Sequence, residues 1–335
     1  MNSLNELIKL DKMKSNKKVC VVGGGNWGKN HIRTLNDLGV LGGIVDANHE
    51  LLNQFSKQYP NVKVFSKLDE ALSDSEFSGF TVATPAETHF TIAKLVIEAK
   101  KHILIEKPLT LTINDADTLL KLAEENNVNL MVGHVLLFHP AIIKIKGLIN
   151  KGKIGKLQYV YSNRLNLGQV RTEENVFWSL APHDISIFQY FIEDFPMQIN
   201  AHGSTFLQKR IHDSTLTILE YPNNIHGHIF VSWLHPFKEH RLVVVGSEGM
   251  LSFEDSAIDK PLKYYNKKFE LNGKIPEKMD GEVELIDYDH TMPLTEELRY
   301  FVDHLDGTKP KKANGEHALE VMKILVTVSD QLEKI

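Results

Sequence analysis

Lys18-Val19-Cys20-Val21-Val22-Gly23-Gly24-Gly25-Asn26-Trp27-Gly28 decides the architecture of this chain. A short β-branched run stops at glycines, and helical spacing starts at Trp27 and continues to Leu38. Between strand and helix stands G-x-G-x-x-G, the context in which this pattern cradles a pyrophosphate. Gly23 permits the tight turn, Gly25 lets backbone amides approach the phosphates, and Gly28 lets the helix pack closely on the strand. The phosphates would then lie at a helix N-terminus, beside Asn26, Trp27 and Gly28, where free N–H groups and the helix dipole favour anions. Asp46 follows at the end of a second strand, Leu41 to Val45, 18 residues beyond Gly28. A carboxylate there accepts from ribose hydroxyls and repels a 2′-phosphate, and no arginine stands nearby. The pattern therefore predicts NAD rather than NADP.

The alternation continues outward from this motif. Apolar strand-like runs and helical periodicity take turns as far as Asn129 to Val132, through six strands, which argues for a doubly wound parallel sheet. Beyond about Val135 the texture changes. Leu157 to Asn163, Ile199 to Thr205, Thr215 to Tyr221, His226 to Trp233, Arg241 to Val245 and Met250 to Phe253 alternate as in an open, mostly antiparallel sheet with one face covered. Helices over Pro182 to Phe191, Leu294 to Leu305 and Glu316 to Ile335 are expected to cover it. The predicted organisation is an N-terminal extension at 1–17, a Rossmann domain at 18–135, and a substrate and oligomerisation domain at 136–335. In fold class this is α/β, with a second α+β domain. The bare sheet face predicts a homodimer or homotetramer. In the extension, Leu4, Leu7, Ile8 and Leu10 have the spacing of a short amphipathic helix.

Composition narrows the function classes. The chain has 335 residues and a net charge of −5, so it offers no global field for nucleic acid or an anionic membrane. No apolar run approaches the ~20 residues that span a bilayer. A single cysteine, Cys20, forbids an intrachain disulfide and fits a reducing cytoplasm. His226 and His228 share a strand face without a third ligand by spacing, so no metal site is expected. Lys309-Pro310-Lys311-Lys312 reads as a solvated basic turn.

Strand carboxyl ends in such sheets are where ligands bind. Thr84-Pro85-Ala86-Glu87-Thr88-His89 ends the fourth strand. Thr84, Pro85 and His89 are expected to line the nicotinamide half, and Thr88 either joins them or caps the next helix. Ile105-Glu106-Lys107-Pro108 ends the fifth strand. Desolvation and a positive nicotinamide would both disfavour charge on Lys107, which readies it to take a hydroxyl proton. The proline permits a cis peptide that would direct the lysine.

The order of these elements, with the later His183-Asp184 pair, resembles the glucose–fructose oxidoreductase / inositol dehydrogenase / rhizopine-catabolism (Gfo/Idh/MocA) family. The resemblance covers nearly everything from Lys18 to Ile335. It implies a Rossmann domain, an open-sheet domain, a tightly held dinucleotide with Glu106 and Lys107 among its contacts, and oxidation or reduction of polyols, sugars and nucleotide sugars. It further implies that His183 hydrogen-bonds the reacting hydroxyl and shares proton transfer with Lys107. Ser179 stands where the family carries aspartate, so the charge of that carboxylate is missing. Asn175-Val176-Phe177-Trp178 before Ala181-Pro182-His183-Asp184 is similar to the branch that oxidises C3 of UDP-N-acetylglucosamine or its uronic acid, in cell-surface polysaccharide biosynthesis. Arg164 and Arg171 are candidates to hold a phosphate and Asn166 a sugar hydroxyl, with Trp178 beside them; ordinary salt bridges are the alternative for the arginines. Some relatives carry arginine near Leu137, which implies a more apolar pocket here. Three functions remain open: a dehydrogenase of a nucleotide sugar, free sugar or polyol; a glycosidase that recycles its NAD; and a non-catalytic NAD-binding sensor.

Overall fold

The computed structural model describes residues 17–333, so the amphipathic spacing near the N-terminus lies outside the described residues. The described residues divide into two compact units, 17–135 with 292–319, and 136–291 with 320–333.

The first unit holds a six-stranded sheet in the order β3-β2-β1-β4-β5-β6, every pair parallel. Its strands are β1 (Lys18–Val22), β2 (Leu41–Val45), β3 (Lys63–Phe65), β4 (Phe77–Val82), β5 (His102–Glu106) and β6 (Leu130–Gly133). This is the doubly wound order expected from the alternation. Val19, Cys20, Val21, Ile103, Leu104 and Ile105 are wholly buried, as strands covered on both faces require. Burial also pushes the Cys20 thiol up. The connecting helices are α1 (Gly28–Asp37), α2 (His49–Gln58), α3 (Leu68–Leu72), α4 (His89–Glu98) and α5 (Ile113–Glu125). Asn48 caps α2, accepting from the amides of Glu50 at 2.9 Å and Leu51 at 3.2 Å.

The segment expected to cover the second sheet goes elsewhere in part. Helix α8 (Pro293–Asp303) belongs to the first unit and packs on α1. The chain after it joins the free edge of β6, with Val132 N–H donating to Ala313 at 2.8 Å. Asn129 Nδ2 holds the return by donating to the carbonyls of His304 at 2.8 Å and Thr308 at 2.7 Å. Amphipathic spacing says that a helix face is buried, but not which sheet buries it. Lys312, expected in a solvated turn, stands over the Tyr300 ring; burial pushes its ammonium down to about 8 against the charges of Glu296 and Glu297.

The second unit is an eight-stranded sheet in the order β14-β13-β12-β11-β7-β10-β9-β8. Its strands are β7 (Leu157–Leu167), β8 (Gln198–Ser204), β9 (Ser214–Tyr221), β10 (Ile225–Ser232), β11 (Leu234–Gly246), β12 (Met250–Glu254), β13 (Leu262–Asn272) and β14 (Ile275–Leu285). Only β7 and β10 pair in parallel. Helix α7 (Val176–Ile192) packs on β7, β9 and β10, and α6 (Pro140–Asn150) packs on α7. Helix α9 (Gly315–Leu332) gives its first turn to the first unit and the rest to the second. In β9, Thr215, Thr217, Leu219 and Tyr221 are buried, while Leu216 and Ile218 are each 39% exposed. The opposite face carries Tyr161 stacked on His228, with ring centroids 5.0 Å apart.

Two differences from the sequence expectation are informative. The β13–β14 hairpin was not expected, because it is largely exposed and so shows no buried alternation. Helix α7 begins at Val176, not Pro182. Asn175 starts it by accepting from Phe177 N–H at 3.0 Å and Trp178 N–H at 3.1 Å, and Pro182 lies inside it. A proline suggests a helix start, but a strong cap two turns earlier overrides it. Among the described residues no helix is long and apolar enough to cross a membrane.

Candidate functional site

In the first unit the glycine turn has the shape that its motif demands. Gly23 has φ +93°, and a Cβ there would lie 2.8 Å from the Ala83 carbonyl oxygen. At Gly28 a Cβ would run into the Gly23 carbonyl, so the start of α1 lies directly on the turn. Over Gly25 a Cβ would meet nothing within 4 Å. No side chain caps α1. An open backbone surface at an uncapped helix start fits a pyrophosphate.

Gly24, the variable position of the motif, turns out to be constrained as well. A Cβ there would lie 2.4 Å from Phe55, and its N–H donates to Asp46 Oδ2 at 2.6 Å. Asp46 Oδ1 accepts from Asn48 N–H at 2.7 Å. The carboxylate expected to meet a ribose is thus aimed by two backbone amides. Each oxygen keeps a further lone pair for a hydroxyl.

The Glu106-Lys107-Pro108 bend closes β5, with a cis peptide between Lys107 and Pro108. Glu106, expected among the cofactor contacts, has its carboxylate engaged inside the unit. It accepts from the Trp27 indole N–H and meets His31 Nε2 at 2.8 Å. Trp27, also expected at the cofactor, therefore commits its only side-chain donor to Glu106, while the residue remains 43% exposed. His31 had no role in the sequence reading, although it lies four residues after Trp27 and so one turn along the same helix face.

His89 was expected to line the nicotinamide half. It is 1% exposed, and its ring nitrogens face the carbonyls of Pro108 at 2.8 Å and Thr84 at 2.9 Å. It braces two strand-end loops against each other. Thr88 donates to Pro85 O at 2.7 Å and lies 2.7 Å from Thr84 Oγ1, and makes no cap to α4. These bonds hold the Thr84–Pro85 loop and the Lys107 bend in one shape. Lys107 itself is half-buried, and its Nζ has no hydrogen-bond or ion-pair partner among the described residues.

In the second unit, His183 lies half-exposed on α7, one turn after Ser179. Asp184 points the other way. It is 2% exposed and takes the guanidinium of Arg164 on β7 in a fork, Nε to Oδ2 at 2.8 Å and Nη2 to Oδ1 at 3.0 Å. For Arg164 this is the salt bridge that stood as the alternative to a phosphate contact. The residue is 9% exposed, and the cavity beside it, lined also by His139, His240 and Asp255, measures about 20 Å3. That volume admits about one water and no sugar phosphate. The pair instead pins the helix that carries His183 to the sheet. Trp178 is likewise occupied, its indole N–H donating to Ser329 on α9. Arg171 is exposed and Asn166 half-exposed, so both keep free surface. Leu137 is fully buried.

Two family profiles match this chain: "Oxidoreductase family, NAD-binding Rossmann fold" over residues 17–134, and "GFO/IDH/MocA C-terminal domain" over 142–252. The chain belongs to the Gfo/Idh/MocA family. Among curated relatives, UDP-N-acetylglucosamine 3-dehydrogenase of Acidithiobacillus ferrooxidans is 29% identical over 184 residues, 55% of this chain and 56% of that protein. The sequence match therefore spans little more than half of that relative. The solved structure of the same enzyme superposes with a TM-score of 0.83 at 22% identity, covering 95% of this chain and 97% of the other. GenD2 from gentamicin A biosynthesis, solved in complex with NAD, gives a TM-score of 0.78 at 22% identity over 96% and 95% of the two chains. At these identities the superpositions establish the fold.

Proposed function

We propose that the protein is an NAD-dependent dehydrogenase of a sugar hydroxyl, with C3 of a UDP-N-acetylhexosamine or its uronic acid as the oxidised position. The observation that carries this reading is Lys107. Its amine stands without a protein partner at the carboxyl end of β5, on a bend braced by His89 and Glu106, in the unit whose glycine turn leaves Gly25 open. Bound NAD would supply the hydride acceptor. Gly23, Gly25, Asn26, Trp27 and Gly28 would hold its pyrophosphate through backbone amides, and Asp46 its ribose. Lys107 Nζ takes the hydroxyl proton during oxidation and returns it in reduction. His183 is the second unit's candidate for hydrogen-bonding the substrate, with Arg171 and Asn166 for its polar groups. NAD over NADP rests on the Asp46 carboxylate, which repels a 2′-phosphate. The half-apolar bare face of the second sheet is the proposed contact between copies.

The substrate class rests on the Acidithiobacillus relative and on the segment from Asn175 to Asp184. The test is NADH absorbance of the purified protein with NAD and UDP-N-acetylglucosamine, its uronic acid, or free sugars. NADH formation with a nucleotide sugar is expected. Lys107→Met should lower turnover by roughly 10²–10⁴-fold while NAD affinity stays unchanged. Equal turnover in that variant removes Lys107 from the chemistry. Ser179, in place of an aspartate, favours a second reading as a non-catalytic sensor. NAD binding without NADH or released sugar for any substrate would decide for it.

A further inference from the structure

His134 follows β6 and is 3% exposed, yet neither ring nitrogen has a hydrogen-bond partner among the described residues. Leaving two polar ring atoms unpaired inside a fold costs stability, which asks for a use. Its position supplies one. Glu106 and Gly133 are the last paired residues of β5 and β6, so Lys107 and His134 are the next residues on two adjacent parallel strands, which run about 4.8 Å apart. On the other side the His134 ring meets His317 of α9 edge to face, with centroids 5.6 Å apart, and His317 is half-exposed. Burial keeps the His134 ring neutral, and the charges of His317 and Lys107 push in the same direction. A neutral imidazole has one nitrogen that accepts and one that donates, so it passes a proton without storing charge. The nearest carboxylate on β5, Glu106, is already engaged by Trp27 and His31 and does not compete for that proton.

We propose that His134 relays the proton collected by Lys107 to His317 and so to solvent. The inference rests on Lys107 being the base of the dehydrogenase. In oxidation the hydroxyl O–H breaks and its proton goes to Lys107 Nζ. The carbinol carbon becomes a carbonyl as its hydride passes to the oxidised dinucleotide. Neither His134 nitrogen is hydrogen-bonded to Lys107 or His317, so each transfer runs through water: Lys107 gives one N–H proton to a ring nitrogen of His134, and the other nitrogen releases a proton toward His317. Without the relay, Lys107 completes one turnover and then waits for solvent.

Two measurements test this. The first needs no substrate. In protein labelled with 15N-histidine, the ring signals of His134 (assigned by their loss in His134→Phe) should move in Lys107→Met, and those of His317 should move in His134→Phe. Unmoved signals in either variant overturn the relay. The second is stopped-flow NADH formation with NAD and UDP-N-acetylglucosamine. His134→Phe and His134→Gln should keep the first-turnover burst within about twofold and lose roughly tenfold in steady-state rate, recovered by raising imidazole buffer. A burst that falls in parallel with the steady state assigns His134 a packing role and overturns the proposal, as does an unchanged steady state. A full burst in Lys107→Met sinks the lysine reading itself. If wild type gives no burst with this sugar, the ring signals alone decide whether the three residues are coupled.

Discussion

Asp184→Asn keeps the shape of a buried side chain and removes its charge. Arg164 then remains under α7 with its Nε and Nη2 donors facing an amide that offers one oxygen where two accepted before, at 2.8 and 3.0 Å. Both residues are at least nine-tenths buried, so water cannot replace the lost acceptor. Breaking one side of a buried ion pair costs about 3–5 kcal/mol. A domain of this size loses about 2–4 °C of melting temperature per kcal/mol, so the second unit should melt roughly 10 °C lower. Calorimetry resolves this, supported by urea unfolding followed through Trp178 and Trp233, both in the second unit. The double variant Arg164→Met/Asp184→Leu fills the same space with apolar atoms and should recover most of the loss. The outcome that refutes the reasoning is specific. If Arg164→Met melts within about 2 °C of wild type yet no longer binds a nucleotide sugar, Arg164 is a phosphate ligand after all, and its fork with Asp184 is incidental.

Three other consequences follow from named contacts. Asp46→Ala removes the acceptor for two backbone amides and should weaken NAD by at least about tenfold, at about 1.5–3 kcal/mol per hydrogen bond to a charged group, while NADP weakens less; isothermal titration with both dinucleotides reads this. Gly24→Ala sets a methyl 2.4 Å from the Phe55 ring and should destabilise the first unit by about 1–3 kcal/mol in thermal unfolding, with no loss in the second. His240 is held down from 6.5 to about 4, by burial first and then by the Arg164 charge. Its folded value lies below its unfolded one, so its contribution is fully present above pH 6.5 and is lost as pH falls toward 4. Allowing for its partial exposure, the loss is roughly 2 kcal/mol, and His240→Gln should flatten that part of the urea stability profile.

What could be read from residue order alone was what local chemistry dictates. A β-branched run that meets G-x-G-x-x-G and then helical spacing has one common solution, and the parallel sheet that it predicted is present in full. The position of Lys107 at a strand end followed from the same alternation. The α8 segment, the β13–β14 hairpin and the start of α7 did not, because each depends on which surface packs against it or on a cap stronger than a proline signal. Side-chain commitments were hidden for a related reason. Arg164, Glu106, Trp27 and His89 have the residue types of ligand contacts, and only folding shows that partners 20 to 79 residues away, or backbone carbonyls, already hold them. Sequence determines which groups are available, through periodicity and motif spacing that act over a few residues. Tertiary structure decides which of them remain free, because a buried donor or acceptor must be paired with whatever the fold brings within about 3 Å.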